Sequence, residues 1–124
     1  MLLPQEIQMF ILNEKDLRYR NRWFEISKLR VYMRRGTHYI GIKLVQCIDV
    51  ASVEVEENGR GEGRFTHFLE DLEAFLDKER PDLLIYVENV LEQRFQDFFK
   101  RRVNYEQCNP PNICFLRKPK VTEI

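Results

Sequence analysis

The sequence lacks an excess of charge of either sign, because 20 Lys and Arg residues balance 20 Asp and Glu residues. No global field therefore draws the protein to DNA or to a membrane surface. The sequence also lacks any apolar run near the ~18 residues that a bilayer-spanning helix needs. Its first sixteen residues carry no basic region and no small-residue cleavage site, so we predict a strand there and not a signal peptide.

Cysteine and histidine are both scarce. The three cysteines, Cys47, Cys108 and Cys114, form no paired motif, which argues against a disulfide scaffold and favours a reducing, cytoplasmic setting. The two histidines, His38 and His67, follow no metal-ligand spacing, so each is expected to be an ordinary strand or helix residue. We expect no metal site.

The length of 124 residues suits a single domain over 1–124, and the hydrophobic fraction of 44% suffices for one core. Alternating β-formers and polar residues predict antiparallel strands over 23–34, 39–48 and 50–56, with a hairpin turn at 35–37. Apolar residues at helical spacing predict a helix over 65–76, which Pro81 ends.

The rest of the chain adds a parallel strand. The apolar run 83–87 is typical of a strand buried on both faces, and a second helix over 91–102 and a closing hairpin over 105–116 follow it. This order predicts an α+β fold: a mostly antiparallel mixed sheet with one central parallel βαβ unit and a right-handed crossover.

Between the third strand and the first predicted helix lies a loop with three glycines in five residues, Gly59, Gly61 and Gly63. Glycines at such a junction permit positive φ, and successive backbone amides there can point at one anion, helped by the helix dipole. The loop matches neither the dinucleotide fingerprint nor a Walker loop. A diphosphate is the ligand that such a loop would bind, and the alternative is that the loop is a plain surface turn without a ligand.

Arg60-Gly61-Glu62-Gly63-Arg64-Phe65 resembles the Arg-x-x-Gly-x-Gly/Ala pyrophosphate loop of the GNAT superfamily of acyl-CoA-dependent N-acetyltransferases, although Phe65 departs from the usual small last residue. Asn89 resembles the asparagine that often follows the fifth strand of such enzymes. The segment 95–105 resembles their last helix and its exit. The likeness covers roughly residues 38–118, and the two helices usual near the family's N-terminus have no counterpart.

The resemblance implies acetyl-CoA as cofactor and transfer of an acetyl group to a primary amine. Backbone groups of Val53 and Val55 would bind the pantetheine arm, in a wedge opened where the strand 50–56 splays from 83–87. The amides of residues 60–65 would hold the diphosphate. Asn89 would bond the pantetheine arm or a water, or else cap the helix that follows it.

Acid and base roles are assigned from charge and position. Glu54 is the expected general base, with Glu56 and Glu88 as partners for a cationic substrate. The family's frequent acid is a tyrosine in the last helix, where this sequence has none. Tyr105 or Tyr86 would replace it, or no acid is used.

Two other functions stay open at this stage. One is a GNAT-like interaction domain without activity that keeps coenzyme A as a structural ligand. The other is a nucleic-acid-binding domain that uses the basic residues of 15–35, which could equally form a solvated strand face or hold the 3′-phosphate of the cofactor. The neutral overall charge argues against nucleic acid, and exposed strand edges make a homodimer reasonable.

Overall fold

The computed structural model describes residues 3–13, 15, 20–56, 63–88, 90, 93–108 and 113–118. In chain order the elements are α1 (Gln5–Leu12), β1 (Asn21–Ile26), β2 (Leu29–Ile40), β3 (Lys43–Val55), α2 (Arg64–Glu79), β4 (Leu84–Val87), α3 (Gln93–Lys100), β5 (Tyr105–Cys108) and β6 (Cys114–Arg117). The strands form one six-stranded sheet in the order β1-β2-β3-β4-β6-β5. No helix within the described ranges is long and apolar enough to cross a membrane.

The sheet is mixed. β3 and β4 pair in parallel, with α2 between them in the chain, whereas every other neighbouring pair is antiparallel. The prediction of a mostly antiparallel α+β sheet with one central parallel βαβ unit is confirmed. The predicted helices and the closing hairpin are present too, with bounds that differ by a few residues.

The predicted N-terminal strand is wrong, because this segment forms the helix α1. Ile7, Phe10 and Ile11 are buried and recur at helical spacing, so burial of this stripe against the sheet decides the conformation. The guanidinium of Arg35 on β2 donates to the carbonyls of Phe10 and Ile11 at the end of the helix. These carbonyls have no partner within the helix, so the arginine completes its C-terminus.

The predicted hairpin turn at 35–37 is also wrong. Gly36 lies inside β2, opposite Cys47 of β3, and the strand continues to Ile40. The chain reverses instead at the two-residue loops Ser27-Lys28 and Gly41-Ile42, where Ser27 (φ 56°) and Gly41 (φ 64°) have left-handed backbones. Short hairpin loops need such positive φ values.

The hydrophobic core lies on one face of the sheet. Buried residues of all three helices, including Phe10, Leu72 and Phe99, join one cluster with strand residues such as Ile48 and Ile85. The opposite face carries a smaller cluster of Cys47, Leu84 and Leu116, whose buried members all come from strands. Since neighbours along a strand point to opposite faces, Cys47 and Ile48 divide between the two clusters.

Cys108 and Cys114 face each other across the β5–β6 hairpin and form a disulfide, whereas Cys47 is free and buried. The sequence did not predict this bridge. Spacing of six residues shows a pairing only once the hairpin register is known. The hydroxyl of Tyr86 on β4 lies 3.3 Å from Sγ of Cys114.

Candidate functional site

The parallel pair of strands ends in a wedge. The register of β3 and β4 runs from Cys47–Leu84 to Val50–Val87, and the amide of Glu88 then donates to the carbonyl of Val50 at 3.3 Å. β3 continues to Val55 with β2 as its partner but without a further β4 partner among the described residues. The pairing of β3 with β4 thus ends where β4 itself ends, and the splaying that the resemblance implies remains a prediction.

A β-bulge lies where the two strands part. Tyr32 and Met33 of β2 are neighbours, yet their partners on β3 are Ser52 and Val50, so Ala51 is the extra residue. A bulge bends its strand and raises the local twist. It also resets the alternation of side chains, which explains why Val50 and Val53, three positions apart, both contact the helix-covered core.

A pocket of about 380 Å³ occupies the wedge. Aromatic rings of α2 and α3 wall it, with Phe65 5.9 Å from Phe95 and 6.0 Å from Phe99 between ring centroids. This volume falls in the range of small-molecule sites, which are mostly apolar with a few polar groups. Among the described residues of the lining, Glu88 is the one with an ionisable side chain. These residues are Val50, Ala51, Ser52, Val53, Phe65, Val87, Glu88, Val90, Phe95 and Phe99.

The N-terminus of α2 stands beside the pocket, because its second residue, Phe65, lines it. Gly63 caps this helix in a left-handed conformation, with φ 69°. Arg64 turns its guanidinium to the hydroxyl of Ser27, at 2.9 Å. The other predicted cofactor residues Arg60, Gly61, Glu62 and Asn89 lie outside the described residues.

A chain of charged groups leads away from Glu88 across the sheet. One guanidinium nitrogen of Arg34 on β2 binds Oε2 of Glu88 and lies 3.3 Å from Oδ2 of Asp49 on β3. Asp49 has a side chain only 2% exposed, so its charge depends on these partners. Glu88 thus joins the pocket to a buried polar cluster on the face opposite the helices.

His38 completes that cluster. Its Nε2 lies 2.9 Å from Oδ1 and 3.0 Å from Oδ2 of Asp49, and its ring stacks on Tyr86 with centroids 3.7 Å apart. Burial raises the pKa of the Asp49 carboxyl above its ordinary value, and His38 and Arg34 oppose this shift without cancelling it. Burial, together with Asp49, raises the pKa of the Cys47 thiol to about 12.

Three of the predicted site residues line the pocket: Val53 and Phe65, which were expected to bind the cofactor, and Glu88, which was expected to bind the substrate. Val55 pairs with Leu29 and packs against the core instead. Glu54, the expected base, is exposed and binds Arg30 at 2.8 Å. Glu56, at the end of β3, is exposed as well.

Tyr105, the expected acid, is buried elsewhere in the core. Its hydroxyl donates to Oε2 of Glu73 at 2.8 Å, and its ring packs on Phe99 from the side of β5. Burial, and then the carboxylate of Glu73, raises its pKa far above the ordinary value. The structure therefore brings neither Glu54 nor Tyr105 into the pocket lining.

Four arginines of the basic segment 15–35 have hydrogen-bond or ion-pair partners within the molecule. Arg22 lies 3.8 Å from Glu6, and Arg30 contacts both Glu25 and Glu54. Arg34 and Arg35 have the partners given above. These pairs leave less positive charge for nucleic acid than the sequence alone indicated.

Arg34, His38 and Asp49 were not predicted to be members of one site. Cys47 and Asp49 are two apart on one strand, which places both on one face, but their approach to His38 depends on the hairpin register. Placing the hairpin turn at Gly41-Ile42 instead of at 35–37 would have given the correct register and brought these residues together. No protein-family model matches the chain, and no curated protein matches it either.

Proposed function

We propose that the protein is an acetyl-CoA-dependent N-acetyltransferase of GNAT type that acetylates a primary amine. The single observation that carries this proposal is the pocket in the wedge between β3 and β4, beside the N-terminus of α2. A parting parallel strand pair, an apolar cleft and a helix N-terminus with a glycine-rich approach are the features the resemblance requires of a coenzyme A site.

The cofactor would enter the wedge along the edge of β3. The acyl and pantetheine groups would lie against Val53 and the rings of Phe65 and Phe95, with backbone groups of β3 as hydrogen-bond partners. The volume of about 380 Å³ is small, so the nucleotide would remain outside the pocket. Its diphosphate would lie at the amides that begin α2, next to Gly63, where the positive end of the helix dipole favours an anion.

Glu88 is the residue we assign to the amine. The ammonium proton of the acceptor would first pass to the Glu88 carboxylate, directly or through a water, because only the free amine has a lone pair with which to attack. The amine nitrogen would then attack the thioester carbonyl carbon, and the carbon–sulfur bond would break with coenzyme A leaving as a thiolate. The nitrogen would lose its second proton to this thiolate or to solvent. Arg34 holds Oε2 of this carboxylate and so fixes its direction. This assignment replaces Glu54, which is bound to Arg30 on the exposed surface.

We assign none of the described residues as the acid that protonates the departing thiolate. Tyr105 is bound to Glu73, and the hydroxyl of Tyr86 lies at Cys114. A thiol with an ordinary pKa of about 8.5 leaves acceptably as its thiolate, so the reaction can proceed without a protein donor.

The described part of the pocket lining contains no tyrosine, and this favours a second candidate, a coenzyme A-binding interaction domain without turnover. Such an interaction domain would bind acetyl-CoA and coenzyme A equally well. It would release no thiol in the presence of amines.

Thermal shift with acetyl-CoA, coenzyme A and a short oligonucleotide separates these functions. A ligand at ~100 times its Kd stabilises the folded state by about 2.7 kcal/mol, which raises Tm measurably. We expect stabilisation by both cofactors and none by the oligonucleotide. Thiol release from acetyl-CoA with a panel of primary amines then distinguishes the transferase from the interaction domain, and no shift with either cofactor would exclude both.

A further inference from the structure

A second candidate site lies on the face of the sheet opposite the helices. His38 of β2 and Cys47 and Asp49 of β3 bring an imidazole nitrogen, a thiol sulfur and a carboxylate oxygen within 4.8 Å of one another. Cys47 and Asp49 each have about 1–2% of their surface exposed. Three ligand types that proteins use for zinc therefore converge at a buried point that the acetyl transfer does not involve.

The register of the hairpin creates this convergence. Gly36 lies opposite Cys47, and Arg34 lies opposite Asp49. Because Gly36 has no side chain, the ring of His38 can reach across the gap to Asp49 at 2.9 Å. Tyr86 on β4, on the other side of β3, stacks on this ring with centroids 3.7 Å apart and limits its rotation.

We propose that His38 Nε2, Cys47 Sγ and Asp49 Oδ1 bind a divalent transition metal ion of the zinc type. Bonds of about 2.0–2.3 Å in a tetrahedral arrangement hold ligand atoms roughly 3.3–3.6 Å apart. The side from His38 Nε2 to Asp49 Oδ1 is 2.9 Å and must open slightly, whereas no side exceeds 4.8 Å, so side-chain movements of about 1 Å give this size. Three protein ligands leave a fourth position for water.

The surroundings suit such an ion in two respects. Arg34 lies at Oδ2 of Asp49, so it can hold the second carboxylate oxygen while Oδ1 binds the metal, as outer partners of metal ligands do. The charges also balance. A dication is neutralised by the Asp49 carboxylate and the Cys47 thiolate formed on binding, while Arg34 stays paired with Glu88.

Cobalt(II) provides the test, since a Co²⁺–thiolate bond gives a charge-transfer band that other ligands do not. The tag-free protein is treated with chelator, exchanged into buffer and titrated with CoCl₂, with its Cys108–Cys114 disulfide intact. We expect a charge-transfer band that saturates at one equivalent and is displaced by Zn²⁺. Its absence from the folded protein would overturn the proposal.

Matched variants assign the ligands. His38→Gln should weaken cobalt binding at least about tenfold, whereas His67→Gln, on an exposed position of α2, should leave it unchanged. Cys47→Ser should abolish the band, and the Cys108→Ser/Cys114→Ser double variant should keep it. A band that survives Cys47→Ser, or is lost in the double variant, would also overturn the proposal.

If Cys47→Ser does not fold, protection of the Cys47 thiol from alkylation provides the test instead. In the wild-type protein under mild denaturant, Zn²⁺ should slow alkylation of Cys47 at least about tenfold, while Mg²⁺ should not. Equal rates with the two ions would contradict metal binding at this cysteine. The outcome is independent of acetyl-CoA, so the two proposals can fail separately.

Discussion

The carboxylate of Asp49 occupies the space above Gly36 where any other residue would place its Cβ. Gly36 is therefore a residue of close approach within β2, and this approach lets Asp49 meet His38 and Arg34. The glycine is needed here because a side chain would collide with Asp49, and not because the chain turns at this position.

Gly36→Ala should displace the Asp49 carboxylate. We expect the free energy of unfolding to fall by about 1–3 kcal/mol, because an extra methyl group is forced into a packed site. Urea unfolding measures this, and cobalt binding should weaken in parallel. When Asp49 is already alanine, Gly36→Ala should lower the free energy of unfolding less. We expect the effect of the double variant to differ from the sum of the two single effects by about 0.5–3 kcal/mol. Strictly additive effects would contradict the close contact between Gly36 and the Asp49 carboxylate.

Glu88→Gln should lower kcat for acetyl transfer at least about 100-fold, because a neutral amide cannot accept the ammonium proton. The matched control is Glu54→Gln, which removes a carboxylate bound to Arg30 outside the pocket and should change kcat less than about twofold. Thiol release under saturating acetyl-CoA measures both. If Glu54→Gln were the damaging change, the expectation from the sequence would be correct and the assignment to Glu88 wrong.

Tyr105→Phe should affect stability and leave catalysis intact. Loss of the hydrogen bond to the Glu73 carboxylate should cost about 1.5–3 kcal/mol of unfolding free energy. Kinetic constants for acetyl transfer should change little at a temperature where the variant is folded. A large loss of kcat with unchanged stability would instead restore the tyrosine to a catalytic role.

The pH dependence of that stability follows from the raised pKa of Tyr105. In the unfolded chain the phenol ionises near its ordinary pKa of about 10, whereas in the folded protein it remains protonated. Above that pH the unfolded state binds fewer protons, so stability falls as pH rises. The advantage of wild type over Tyr105→Phe should hold constant below about pH 9 and shrink above about pH 10, and an advantage that grows with pH would contradict this.

Periodicity predicted the elements that bury one continuous stripe. The spacing of Phe65, Phe68, Leu72 and Leu76 predicts α2, and the apolar run 83–87 predicts β4 because a run of this length suits a strand better than a helix. The segment containing Ile7, Phe10 and Ile11 was too short and too apolar to favour a helix over a strand. Its contacts with the sheet and with Arg35 decided the outcome.

The candidate sites show the same division. Val53 and Phe65 were predicted from the resemblance, which implies a cleft where the two strands part, and Glu88 was predicted from its position at the end of β4; all three line the pocket. The cluster around Asp49 could not be predicted, since it depends on hairpin register. Moving the turn from Gly36 to Gly41 changes which residues of β2 and β3 face each other.

Calorimetric titration with acetyl-CoA tests whether coenzyme A binds in the wedge with its diphosphate at the start of α2. Gly63→Val and Gly41→Val are compared, since both glycines have left-handed backbones, φ 69° and 64°, with open space around them. Each valine should cost a similar backbone strain of about 1–2 kcal/mol. We predict that Gly63→Val weakens acetyl-CoA binding at least about tenfold while Gly41→Val leaves it unchanged, and equal affinities for the two variants, or no binding by wild type, would contradict the account.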